Sequence, residues 1–116
     1  MKLVYTDRAL EDIEACLFWS AENFGIPAAH RYRGLLEVAL LAVLKEPELP
    51  GSKRIEGFGG MVRVYHIKHS RNDAPVGGLI VKAPRHLIVY RTTDIGGIEL
   101  LRVLHDRLDF GSSLGS

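Results

Sequence analysis

Thiols and indoles are scarce in this chain: Cys16 is its only cysteine and Trp19 its only tryptophan. One thiol permits no internal disulfide and no cysteine pair for a metal, so packing alone must hold the fold. Cys16 itself reads as a small helix residue rather than a nucleophile. Long apolar runs are missing too, and the N-terminus has no apolar segment of the secretory type. From these absences we expect a soluble, cytoplasmic protein without membrane contact. A dominant charge is the third absence, since fifteen Lys/Arg stand against fourteen Asp/Glu, a formal net charge of +1.

That balance hides an uneven distribution. Residues 1–50 carry five basic against eight acidic side chains, whereas residues 51–116 carry ten against six, together with four of the five histidines, His66, His69, His86 and His105. A basic second half beside an acidic first half suits an acidic or phosphate-bearing partner. With 116 residues, 47% of them hydrophobic and 25% charged, the chain is sized for one domain with one core. We expect that domain to span residues 1–110, and the small, polar residues 111–116 to form a flexible tail.

Residues 2–6 predict a short strand, after which Thr6 or Asp7 can cap a helix. Leu10, Ile13, Leu17, Ala21 and Phe24 recur at the spacing of one helical face, and Gly25 ends the run. Pro27 suits the first turn of a second helix, where its missing N–H breaks no bond. The stripe of that helix is Tyr32, Leu35, Leu36, Ala39, Leu40, Val43 and Leu44. Consecutive amphipathic helices with so tight a connection should pack as an antiparallel hairpin. Pro47, Pro50 and Gly51 then separate helices from sheet. Strands are predicted at 53–56, 61–68, 87–91 and 98–105, with turns at 57–60 and 94–97 and an irregular hairpin tip in 70–84, where Leu79-Ile80-Val81 can extend the hairpin. The whole is an α+β domain: a short N-terminal strand, then a two-helix antiparallel hairpin packed on one face of a small, mainly antiparallel, curled sheet.

Candidate chemistry gathers at the end of the chain. Strict alternation sets Ile98, Leu100, Arg102 and Leu104 on one side of the last strand, and Glu99, Leu101, Val103 and His105 on the other. The strand should therefore carry His105 out to an uncovered surface lined by cations, with Arg107 just beyond. Arg102 reads as a structural ion pair or an edge residue rather than a ligand contact. Gly57-Phe58-Gly59-Gly60 lacks the lysine and the strand-to-helix setting of a phosphate loop. His66 and His69, three apart near a strand end, point to opposite faces and make a poor metal pair, so no metal or cofactor is expected.

Several stretches in this order carry a resemblance: Ala9-Leu10-Glu11-Asp12-Ile13, a second helix starting near Pro27-Ala28-Ala29, the Leu49-Pro50-Gly51 break, a strand bearing Arg63, then Arg85-His86-Leu87-Ile88-Val89-Tyr90-Arg91, and Ile98-Glu99-Leu100-Leu101-Arg102-Val103-Leu104-His105. Together they resemble the RelE/ParE superfamily of bacterial toxins, and its ParE branch most, over about residues 3–109. The resemblance implies the toxin of a type II toxin–antitoxin system, neutralised by a ParD-like antitoxin in a hetero-oligomeric complex. ParE-like members inhibit DNA gyrase by protein–protein contact and carry no catalytic residues of their own. For that activity we expect Arg91, His105 and Arg107 to meet the target, and Phe18 and Trp19, off the main stripe of the first helix, to anchor the antitoxin.

The alternative within the superfamily is a RelE-like, ribosome-dependent mRNA endoribonuclease. Such an enzyme needs an acid or base and cations around the developing phosphorane, for which Glu56, Arg63, Arg91, His105 and Arg107 are available and Arg63, Arg91 and His105 the choice. Convergence of those three depends on strand register. Asp106 and Asp109 would repel a phosphate backbone, and the chain lacks both the dense lysine and arginine cluster and the terminal histidine and tyrosine of such sites.

Overall fold

A computed structural model describes residues 2–56, 61–75 and 79–107. Along the chain run β1 (Leu3–Tyr5), α1 (Asp7–Phe24), α2 (Ile26–Lys45), β2 (Ser52–Ile55), β3 (Val62–His66), a 3-10 segment (Ile67–Asp73), β4 (His86–Thr92) and β5 (Ile98–His105). The five strands form one sheet in the order β1-β5-β4-β3-β2, in which β1 lies parallel to β5 and every other pair is antiparallel. Residue 1 and residues 57–60, 76–78 and 108–116, where the first turn, part of the hairpin tip, and the end of the domain followed by the 111–116 tail were expected, lie outside the described residues.

The helices begin and end for local reasons. The Thr6 hydroxyl accepts the N–H of Ala9 at 3.0 Å and donates to the Leu101 carbonyl at 2.8 Å, so one side chain caps α1 and ties its start to β5. Gly25, at φ 92°, takes the backbone conformation that closes α1, and Pro27 follows in the opening turn of α2. Tyr32, Leu35, Leu36, Ala39, Leu40 and Val43 are buried, as their spacing predicts. The face of α1 differs: Ala9, Cys16 and Ser20 are the buried positions, while Leu10 and Phe24 are exposed. Small residues let α1 approach the core closely, which rotates its larger apolar side chains toward the rim. Burial pushes the Cys16 thiol up to about 12, with Asp12 adding to the effect, in keeping with an inert packing residue.

Two apolar layers flank the sheet. Ile88, Tyr90, Ile98, Leu100 and Val103 join the helices in the main core, whereas Val62, Leu87, Val89 and Leu104 cluster on the opposite face. This division corrects the strict alternation expected for β5. Val89 pairs with Arg102 but Tyr90 pairs with Leu100, so Leu101 is an extra residue without a cross-strand partner. That β-bulge exchanges the faces halfway along the strand, placing Val103 with Leu100 and separating both from Leu104.

At the bulge, Asp12 of α1 does the tying: it accepts Arg102 Nε at 2.7 Å, Arg102 Nη2 at 3.2 Å and the Val103 N–H at 2.9 Å. Arg102 is thus the structural ion pair that it was expected to be. The turn before β5 is equally constrained, since the amide of Ile98 donates to the Lys2 carbonyl at 2.9 Å and any Cβ on Gly97 would stand 2.2 Å from that same oxygen. The hairpin from β3 to β4 is long, but Leu79-Ile80-Val81 do not extend it as a ladder; the 3-10 segment and an irregular return fill its tip.

Candidate functional site

β3 and β5 end, and β4 begins, at the same edge of the sheet, which brings His66, His86 and His105 together. His86 and His105 are register partners with ring centroids 5.1 Å apart. Trp19 of α1 stands edge-on to both, at 5.6 Å and 5.7 Å, and also to Tyr32 of α2 at 6.4 Å. His105 therefore does not reach an uncovered surface. Beyond the bulge its ring turns to the helix-covered face beneath Trp19, and its side chain is only 25% exposed.

The polar groups under Trp19 are ordered by their hydrogen bonds. The Tyr32 hydroxyl accepts the Arg85 N–H at 2.9 Å and shares a 2.5 Å hydrogen bond with His86 Nδ1. Burial keeps the Tyr32 hydroxyl protonated far above its usual range. Burial first, and then the nearby His105, pull the His86 imidazole down to about 4. His66 accepts the Lys68 N–H on Nδ1 at 3.1 Å, which leaves Nε2 to donate to Asp106 Oδ2 at 3.0 Å.

Asp106 is the hub of the edge. Arg85 Nη2 lies 3.0 Å from its Oδ1, and His105 Nδ1 lies 3.6 Å from the same oxygen. Partial burial works against the ionised carboxylate, but the His66 hydrogen bond and the charges of Arg85 and the histidines outweigh it, holding the carboxyl below its usual range. His105 Nδ1 instead accepts the Arg107 N–H at 3.0 Å. Arg107 itself is exposed.

Arg63 and Arg91 belong to the other end of the strands and to opposite faces. Arg63 pairs with Tyr90 on the helix side, while Arg91 pairs with Val62 on the other. Arg63 donates to Ser52 Oγ through Nε and Nη2, at 3.3 Å and 2.8 Å, with Glu48 3.8 Å away. The Nε of Arg91 donates to Glu99 Oε1 at 2.6 Å. Glu56 is exposed just past β2. The register thus leaves Arg63, Arg91 and His105 apart.

The two aromatic anchors also separate. Phe18 projects from α1 at 66% exposure, whereas Trp19 packs against the core and walls a groove of about 520 Å³ with Phe24, Ala28, Tyr32, Leu79 and Val81. Among the described residues, Arg31 and Lys82 are the charged residues of that groove, and no carboxylate lines it. Among the described residues, no group of three or more His, Cys, Asp or Glu is arranged to hold a metal, and no helix is long and apolar enough to cross a membrane.

Sequence reasoning passed over Tyr32, Arg85 and His86 as site residues. The only signal for His86 is its alternation with Ile88 and Tyr90, which puts it on their face. Its place opposite His105 needs the register.

A short parallel strand, a helix pair and an antiparallel sheet with a polar, histidine-bearing end make a small α+β domain. A family model described as the ParE toxin of the type II toxin–antitoxin system parDE matches residues 3–110, and the chain belongs to that family. It is a toxin of a type II toxin–antitoxin system, and an antitoxin partner follows from that membership. No individual curated protein is similar enough to count as a match.

Proposed function

We propose that this toxin inhibits DNA gyrase by protein–protein contact, through the edge where Arg107 is exposed beside the half-buried His105, and that a ParD-like antitoxin neutralises it in the cytoplasm as a hetero-oligomer. The observation that carries the proposal is the dispersal of the nuclease set. Arg63 and Arg91 lie on opposite faces of the sheet, and the charge of Arg91 is already met by Glu99. Cleavage through a 2′-hydroxyl needs its acid, base and cations within a few ångströms of one phosphate, and this register keeps Arg63, Arg91 and His105 from sharing one. The cavity of about 460 Å³ that Arg63 lines mixes three cations, Lys45, Arg54 and Arg63, with two carboxylates, Glu46 and Glu48, and neither Arg91 nor His105 lines it.

The antitoxin-binding role proposed for Trp19 is supported by its groove, which offers apolar walls with a cationic rim and suits an amphipathic segment bearing acidic side chains. Phe18 offers a second, separate apolar contact. The target is tested with the purified full chain. Inhibition of gyrase supercoiling with intact ribosome-bound message is the expected outcome; cleavage of that message with gyrase unaffected would replace the proposal by the endoribonuclease alternative.

A further inference from the structure

We propose that His105 is a proton-operated clasp on the chain where it leaves β5: neutral, its Nδ1 holds the Arg107 N–H; protonated, it releases that amide and donates to Asp106 Oδ1 instead. The two bonds are mutually exclusive, because an imidazole nitrogen that accepts a proton from one neighbour cannot give one to another. The first bond is in place at 3.0 Å. The second is prepared. Among the described residues no hydrogen-bond donor is aligned on the buried Asp106 Oδ1, although Arg85 Nη2 stands 3.0 Å and His105 Nδ1 3.6 Å away. Held there by the charge of Arg85, the oxygen can still accept a directional hydrogen bond, which a donor on Nδ1 would supply after a small ring movement.

The surroundings fix the direction of the switch. Facing His105 are His86 at the start of β4 with Arg85 just before it, and Asp106 and Arg107 on its own strand end; His66 at the end of β3 acts through Asp106. From the helices come only the uncharged Trp19 and, through His86, the hydroxyl of Tyr32. Burial, Arg85 and Arg107 disfavour the imidazolium more than Asp106 favours it, so the ring is neutral at neutral pH and takes its proton below its ordinary value. Acidification then exchanges a backbone clasp for a side-chain bond, competes with Arg85 for Asp106, and alters how Arg107 is presented. The switch is a property of the folded chain and does not depend on which macromolecule the toxin meets.

Heteronuclear NMR on the full chain tests this directly, following each histidine ring and the Arg107 amide from about pH 8 to about pH 5, the range in which imidazoles titrate. At the upper end the His105 ring should carry its proton on Nε2. On acidification the Arg107 amide should move with the same midpoint as the His105 ring and lose about tenfold in protection from hydrogen exchange, the factor expected for one hydrogen bond. Asp106→Asn should lower the His105 midpoint while leaving the Arg107 amide in place at neutral pH. An Nδ1-protonated His105 at the upper end, or an Arg107 amide that ignores the titration of that ring, would overturn the proposal even if every variant failed to fold.

Discussion

The two ends of strands β3 to β5 solve the same electrostatic problem differently. At one end each cation has its own partners, Arg91 the Glu99 carboxylate and Arg63 the Ser52 hydroxyl with Glu48 3.8 Å away. At the other, His66, Arg85 and His105 surround one carboxylate, and a fourth cation-capable group, His86, is kept neutral by burial. The first arrangement contains no imidazole. The second is built on three, the side chain whose ordinary titration lies within reach of physiological pH. Function that depends on protonation or on a changeable surface therefore belongs to the histidine end, and the arginine end is a fixed frame.

The largest effect should come from breaking the frame. Gly97→Ala forces a Cβ into the Lys2 carbonyl, which must displace β1, and should cost at least about 3 kcal/mol in denaturant unfolding. Asp12→Ala should follow, at about 3 kcal/mol, because it leaves a partly buried Arg102 and the Val103 amide of the bulge without their acceptor.

At the histidine end the same order of energy should appear only on acidification. An unfolded histidine binds its proton near pH 6.5, but folded His86 resists until about 4, so between those values the unfolded chain holds more protons and stability falls as pH falls. The contribution is intact above pH 6.5, and roughly 3 kcal/mol is lost on the way to 4. His86→Phe should flatten that slope while costing about 1–2 kcal/mol at neutral pH through the Tyr32 hydroxyl it strands. Smallest of all, Glu99→Ala should cost under about 1 kcal/mol, because the Arg91 side chain is 43% exposed and solvent already screens the pair. A Glu99→Ala cost that exceeded the His86→Phe cost would blur the distinction between the two ends.

Much of this frame was legible from residue order. The α2 stripe, the Gly25 and Pro27 punctuation, the Thr6 cap and the bounds of β5 follow from local chemistry, and the structure keeps them. The site was less legible, because its geometry is set by contacts between distant segments. One unpaired residue, Leu101, exchanges the faces of β5, and no alternation pattern announces a bulge. The buried face of α1 follows its small residues rather than its large ones, so Leu10 and Phe24 were misplaced and Trp19 was separated from the histidines it covers. Whether Arg63 and Arg91 share a face is a question of register, which the sequence left open and the β3–β4 pairing answers.

The proposal that the histidine end meets gyrase is tested most directly by one supercoiling assay on two variants of the chain matched for stability. Arg107→Ala should weaken inhibition by about tenfold or more, the usual consequence of removing an arginine from the centre of a contact, while Arg63→Ala should inhibit like the parent chain. Inhibition lost with Arg63→Ala and kept with Arg107→Ala would place the active surface at the arginine end and contradict the account.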